Sequence, residues 1–250
     1  MEPTGTHTRS AFSRTVDAAL TLAAAAHEGQ RRKGTEIPYV MHPHHVARIL
    51  DRYGCGEHVV IAGLLHDVVE DAKFDEAGWR DRVRGAVPEL SRAPDDPSGF
   101  RSALDDYIRA AFGHGVSALV AHVTEVKTDA LGERRAWIVR KREALDGLTH
   151  ADADVVRLKA ADVLHNMATI TRDLESRGRD VMSRFNATPA ETTWYYRSVT
   201  TIVMDRLGAG DALAEDLLRT FERRPDLLRR ANLSPEDAAF VRDLGFNETR

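Results

Sequence analysis

Apolar positions along the chain recur at three- and four-residue spacings and almost never alternate, so the pattern predicts helices and hardly any strand. Ser13 is placed to cap an alanine-rich helix that ends around Gly29. Glycines, prolines and the consecutive cations Arg31, Arg32 and Lys33 make residues 29–43 a loop. A short helix over 44–52 is stopped by Gly54, Cys55 and Gly56. Residues 57–71 are apolar on every face until the last turn, as expected of a buried central helix. Prolines and acids then cluster from Ala86 to Gly99, which reads as a surface excursion. Helices are expected over 101–112, 115–127, 133–149 and 152–176. After an irregular stretch from Gly178 to Pro189 come helices near 190–207 and 210–222 and a small one near 235–243. The expected fold is all-α: one domain over 1–250, with an inserted region near 85–115 and extra C-terminal helices over 190–250.

Composition narrows the class without identifying the chemistry. With 250 residues, 42% hydrophobic and 30% charged, the chain is long enough to build its own core. Cys55 is the only cysteine, so no disulfide forms within the chain. Lys and Arg number 35 against 39 Asp and Glu, and the net charge of −4 argues against generic binding to nucleic acid or anionic membrane. The longest apolar run, Ala18 to Ala26, is interrupted by Thr21 and falls short of the roughly 20 residues of a bilayer span. The start, MEPTGTHTRS, lacks the layout of a secretory signal, and a cytoplasmic location is expected. A homo-oligomer finds no support in the sequence.

Six polar residues carry the chemical signal: His42, His66, Asp67, Glu70, Asp71 and Asp162, with Asn166 beside the last. At about 100° per residue, Asp67, Glu70 and Asp71 lie roughly 100°, 40° and 140° from His66, so all four share one arc at the end of an apolar helix. Charged groups at such a border are costly unless paired or bound to metal. Asp162 and Asn166 stand four apart on one helical face, and Thr169 continues that stripe. Two imidazoles and two carboxylates suit a borderline divalent ion such as Mn, Fe or Zn. Each residue alone is more often an ion pair or a cap than a ligand; joint occurrence in this order raises the odds.

Four blocks narrow the reading further: residues 26–33 (AHEGQRRK), 38–43 (PYVMHP), 62–71 (AGLLHDVVED) and 159–167 (KAADVLHNM). Their order resembles the HD phosphohydrolase superfamily, and most closely the hydrolase domain of RelA/SpoT-type alarmone enzymes and the stand-alone small alarmone hydrolases. The resemblance covers roughly residues 15–175. It implies an all-α HD-domain helical bundle and Mn²⁺-dependent removal of the 3′-pyrophosphate from guanosine tetra- or pentaphosphate, with Fe, Zn or Co as other candidate ions. By the same resemblance, His42, His66, Asp67 and Asp162 match the metal ligands, and Glu70 and Asp71 match the pair that orients and activates the attacking water. Arg32 and Lys33 match the basic pair near the guanine and phosphates; Asn166 and Thr169 match nucleoside-contacting positions. The implied partner is a purine nucleotide bearing pyrophosphate or phosphate.

Beyond Arg172 the resemblance fades, and no synthetase or regulatory region is recognisable. This keeps a second substrate in view, another nucleotide such as a nicotinamide dinucleotide 2′-phosphate or a biosynthetic nucleotide. A third reading, a nucleotide sensor without turnover, runs against the presence of every ligand and both acids. Other polar residues have plainer explanations. His44 and His45 are expected as exposed residues of a first helical turn, and His27 as a packing or capping residue. His165, about 60° from the Asp162 direction, is expected to pack or to bond to backbone. The run Glu133, Arg134, Arg135, Arg140, Lys141 and Arg142 reads as a solvated helix face, with Arg134 or Lys141 as candidate phosphate contacts. Trp194, Tyr195 and Tyr196 cannot all face one way, so at least one belongs to the core, and Cys55 is expected to be structural.

Overall fold

In the computed structural model, which describes residues 13–223 apart from 178–180, 182, 183 and 186, one buried helix organises its neighbours. This helix, α3 (Glu57–Glu70), buries every residue from Val59 to Val68. Around it pack α1 (Arg14–Ala26), α2 (Met41–Arg52), α5 (Pro97–Val123) and α7 (Ala153–Arg177). A helix apolar on all sides is stable only when surrounded in this way. Gly63 allows α2 to approach closely: a Cβ there would lie 2.8 Å from Leu50 Cδ1 and 3.3 Å from the Ala47 backbone. The remaining helices are α4 (Ala77–Ala86), α6 (Trp137–His150), α8 (Pro189–Leu207) and α9 (Ala212–Glu222), the last two packed on α7. Among the described residues there are nine α-helices and no strand, only two isolated bridges, Arg31 to Pro38 and Thr128 to Arg134.

The expected N-terminal cap is present, with Ser13 Oγ accepting from Val16 N–H at 3.3 Å. α8 opens on a capping box between Thr188 and Glu191, which satisfies two otherwise unpaired backbone donors. Several boundaries differ from the periodicity. α2 begins at Met41, because a proline in the first turn loses no helical hydrogen bond. His42 therefore belongs to a helix, whereas the sequence pattern places it in a loop. α4 is not evident from the pattern, since it buries only Trp79 and Val83; Trp79 Nε1 donates to Ala26 O at 2.8 Å and ties it to the end of α1.

Within 85–115 the excursion is short. From Pro97 the chain is helical and buries Phe100, Leu104 and Ile108. The two helices expected over 101–127 are halves of α5, joined at Gly113, whose φ of 89° breaks the helix as only glycine does readily. α6 starts at Trp137, not near 133, because residues 124–136 form a bridged loop in which Asp129 Oδ1 accepts from the N–H groups of Leu131 and Glu133 at 2.9 Å each. Arg134 and Arg135 are thus loop residues and not part of a helix face. The small helix expected near 235–243 lies outside the described residues. No helix of the described residues is long and apolar enough to cross a membrane.

Candidate metal centre and active site

Three core helices bring the singled-out side chains together. His42 comes from the first turn of α2, His66 and Asp67 from the last turns of α3, and Asp162 from the middle of α7. One nitrogen or oxygen atom from each of His42, His66 and Asp162 lies within 4.8 Å of the others. His42 Nε2 is 3.2 Å from Asp162 Oδ1 and 3.6 Å from Asp67 Oδ2, and His66 Nε2 is 3.2 Å from Asp67 Oδ2. His66 Nδ1 donates to the Gly63 carbonyl at 2.9 Å, which turns Nε2 toward the carboxylates. That buried Nε2 lacks a hydrogen-bond partner despite its short distance to Asp67. A buried imidazole nitrogen without a partner, aimed at two carboxylates and a second imidazole, fits a divalent cation.

The electrostatics fit as well. Burial raises the cost of a charged carboxyl at Asp67, yet the His66 and His42 rings hold it far below the usual carboxylate range. Asp162 is held low against its burial by Lys159 and His42. Burial disfavours a charged imidazole at His66, but Asp67 and Asp162 outweigh it and push its pKa up to about 9. His42 moves the other way, because its burial outweighs both carboxylates. The pull of Asp67 and Asp162 that raises His66 would equally favour a divalent cation at this point.

Each carboxylate is anchored from outside the cluster. Tyr39 Oη donates to Asp67 Oδ2 at 2.8 Å. Lys159 Nζ donates to Asp162 Oδ2 at 2.9 Å and Asn166 Nδ2 to Asp162 Oδ1 at 2.7 Å. Asn166 Oδ1 accepts from Arg32 at 3.1 Å, and the same guanidinium nitrogen reaches Thr169 Oγ1 at 3.1 Å. Arg32, Asn166, Thr169 and Asp162 are therefore one connected network. Lys33 is exposed, and its carbonyl accepts from Arg184 at 3.0 Å.

A cavity of about 180 Å³ adjoins the cluster, with Glu70, Asn166 and the cations Lys141 and Lys159 on its walls. Glu70 Oε2 accepts from the Glu125 N–H at 3.2 Å. Lys127 Nζ sits 2.6 Å from Asp71 Oδ1 and 3.3 Å from Glu70 Oε1, clamping the two acids together. Burial, reinforced by Asp67, pushes the Glu70 carboxyl above its usual value. Lys127, Glu125 and Tyr39 escape the sequence reading. Only Lys159, three residues before Asp162 on the same helix, carries a spacing signal.

The remaining candidates resolve as follows. Lys141 lines the cavity and is paired, with Arg140, to the largely buried Glu125, so these two cations do not form the solvated face expected of them. Arg134 is exposed in the bridged loop. Trp194 and Tyr195 belong to the core, and Lys141 Nζ lies 4.6 Å from the Tyr195 ring centre. His27 caps α1 and packs on Tyr39 at 4.9 Å, as expected. His45 is exposed, whereas His44 is half-buried. His165 packs on His45, but its ring nitrogen meets His42 and not backbone. Cys55 is buried.

Comparison with known proteins identifies the family of the fold. A family model described as an HD domain matches residues 19–188. Over 158 residues the chain is 32% identical to a GTP pyrophosphokinase of Streptomyces coelicolor, covering 63% of this chain and 15% of that protein. Over 150 residues it is 29% identical to a guanosine-3′,5′-bis(diphosphate) 3′-pyrophosphohydrolase of Haemophilus influenzae, covering 60% of this chain and 18% of that one. The chain thus spans less than a fifth of these curated relatives. Among solved structures, a metazoan orthologue of SpoT that hydrolyses ppGpp aligns with a TM-score of 0.58 and 27% identity, over 87% of this chain and 99% of that one. The lmo0812 protein of Listeria monocytogenes aligns with a TM-score of 0.54 and 29% identity, over 73% and 97%.

Proposed function

This chain belongs to the HD domain family, and from its site we propose that it removes the 3′-pyrophosphate of guanosine tetra- or pentaphosphate with the help of a divalent cation, Mn²⁺ first among the candidates. The observation that carries the reading is the convergence of His42, His66, Asp67 and Asp162 beside a cavity that also holds Glu70 and two lysines. In this reading those four side chains hold the cation. A divalent ion there lowers the pKa of water and polarises a phosphoryl oxygen.

The chain's own groups supply the rest. Glu70, kept at a raised pKa by burial, accepts the proton of the attacking water, since a base works best when its pKa approaches the working pH. Asp71 and Lys127 fix the direction of Glu70. Lys141 and Lys159 place positive charge at the cavity wall, where the pyrophosphate needs it. Arg32 and Lys33 take the purine nucleotide; Arg32 offers a flat guanidinium that stacks on a base or grips phosphate in two places. Asn166 and Thr169, tied to Arg32, line its approach to Asp162.

The test is direct. Purified protein with ppGpp and Mn²⁺ is expected to release pyrophosphate and GDP, and a panel of other phosphorylated nucleotides is expected to give lower kcat/KM. No release from ppGpp with any divalent ion, alongside turnover of another nucleotide, moves the activity elsewhere in the family. No turnover of any nucleotide removes the enzymatic reading.

A further inference from the structure

We infer that His165 is a positioning residue for the metal centre: its Nδ1 accepts a hydrogen bond from His42 Nδ1–H and so fixes the His42 ring with Nε2 toward the carboxylates. The inference rests on the metal-centre reading above. The two Nδ1 atoms are 2.7 Å apart. Two bare lone pairs do not approach so closely, so one proton lies between them. The far side of His42 decides who owns it. His42 Nε2 faces Asp162 Oδ1 at 3.2 Å and Asp67 Oδ2 at 3.6 Å, and to hold a cation there it must present a lone pair. The His42 proton then sits on Nδ1, and His165 is the acceptor.

Metal-bound imidazoles usually donate a hydrogen bond from that outer N–H to a carboxylate or a backbone carbonyl. Among the described residues His66 does so, to the Gly63 carbonyl, whereas His42 has a second imidazole in that place. His165 is itself immobilised. Its ring stacks on His45 at 4.9 Å and an interplanar angle of 15°, and His45 Nδ1 donates to the Met41 carbonyl at 2.6 Å. His42 and His45 belong to α2 and His165 to α7, so the contact also sets how α2 presents its ligand to α7.

The side chain at 165 therefore has to accept a hydrogen bond at the Nδ1 position. Asn meets that requirement through Oδ1. Gln carries its oxygen one atom too far, and Leu lacks an acceptor. Metal-free wild type, His165→Asn, His165→Gln and His165→Leu are compared by competition with a chelator for Co²⁺, with visible spectra of the loaded forms and His42→Ala as the reference. Leu and Gln are expected to bind roughly 10- to 100-fold more weakly with an altered Co²⁺ spectrum, and Asn within about threefold of wild type. Melting of the metal-free forms separates binding from folding, and the Asn and Gln pair decides the matter where Leu fails to fold. Undiminished binding by Gln and Leu, or Asn as weak as Gln, overturns the inference while the metal centre stands. A wild type that binds no divalent ion, or a His42→Ala variant that binds as well as wild type, overturns the metal-centre reading and the inference with it.

Discussion

The four proposed ligands sit on α2, α3 and α7, while Glu125 and Lys141, which also line the cavity wall, come from a bridged loop and the start of α6. The first region is held by apolar packing, and its polar atoms converge on one point. The second is held by charge: Glu125 pairs with Arg140 and Lys141, and Lys127 joins Glu70 to Asp71. A cluster of carboxylates and imidazoles set in a core has few ways to relax, so losing one member leaves the others mutually strained. In the wall Lys127 is partly exposed, so its pairs with Glu70 and Asp71 rearrange at smaller cost, whereas the pairs of Glu125 with Arg140 and Lys141 are largely buried. The proposed division of labour follows: the core cluster determines whether a cation binds, and the wall determines how well a nucleotide reacts once it has.

The largest effect is expected from the core side. Asp67→Asn keeps the shape but removes the charge that Tyr39, His42 and His66 surround. Divalent-ion affinity and pyrophosphate release should both collapse, the latter by ~10³-fold or more. Elemental analysis and the product assay read the two losses, and a variant that keeps both would erase the distinction between the regions.

A smaller and more selective effect is expected from the wall. Lys127→Met releases the clamp on Glu70 and Asp71 without touching a proposed ligand. Its metal affinity should stay within about twofold of wild type, while kcat falls roughly 10- to 100-fold through lost orientation. A parallel fall in metal affinity would mean that the wall and the cluster act as one unit.

The same contrast explains what could be read from the sequence. Residues that share a helix are related by a fixed angle, so the arc from His66 to Asp71 and the pair Asp162 and Asn166 were legible as groupings that share one face. α3 was legible because it is apolar on every side. The contacts of Arg32 with Asn166 and of Lys127 with Asp71 join residues far apart in the chain, and no spacing rule connects them. α4 stayed hidden because two buried residues make too thin a stripe, and the start of α2 because Pro43 reads as a breaker when it occupies the one turn that tolerates it. The role of Glu125 was hidden for a similar reason: its partners Arg140 and Lys141 look like solvated charge until the loop folds back on them.

The pH dependence of stability sharpens the comparison most finely, because its alkaline side reads His66 of the core cluster. In metal-free protein His66 titrates at about 9, above the ordinary value of about 6.5. A group raised in the folded state stabilises below its unfolded pKa, and that stabilisation is lost as pH rises through the folded one. The gap corresponds to about 3 kcal/mol at most, lost between pH of about 6.5 and about 9. Burial lowers His42, and His165 and His44 as well, so their contributions have the opposite sign and stability rises toward pH ~6.5 as their protons are shed. Melting temperature in the presence of chelator should therefore peak near pH ~6.5 and fall by several degrees toward pH ~9. His66→Gln should flatten the falling side. Mn²⁺ should do the same in wild type, since a cation that replaces the His66 proton binds more tightly as pH rises. A chelated wild type with a flat profile across that window would mean that the His66 nitrogen does not face the carboxylates, and the core cluster would lose its claim to a cation.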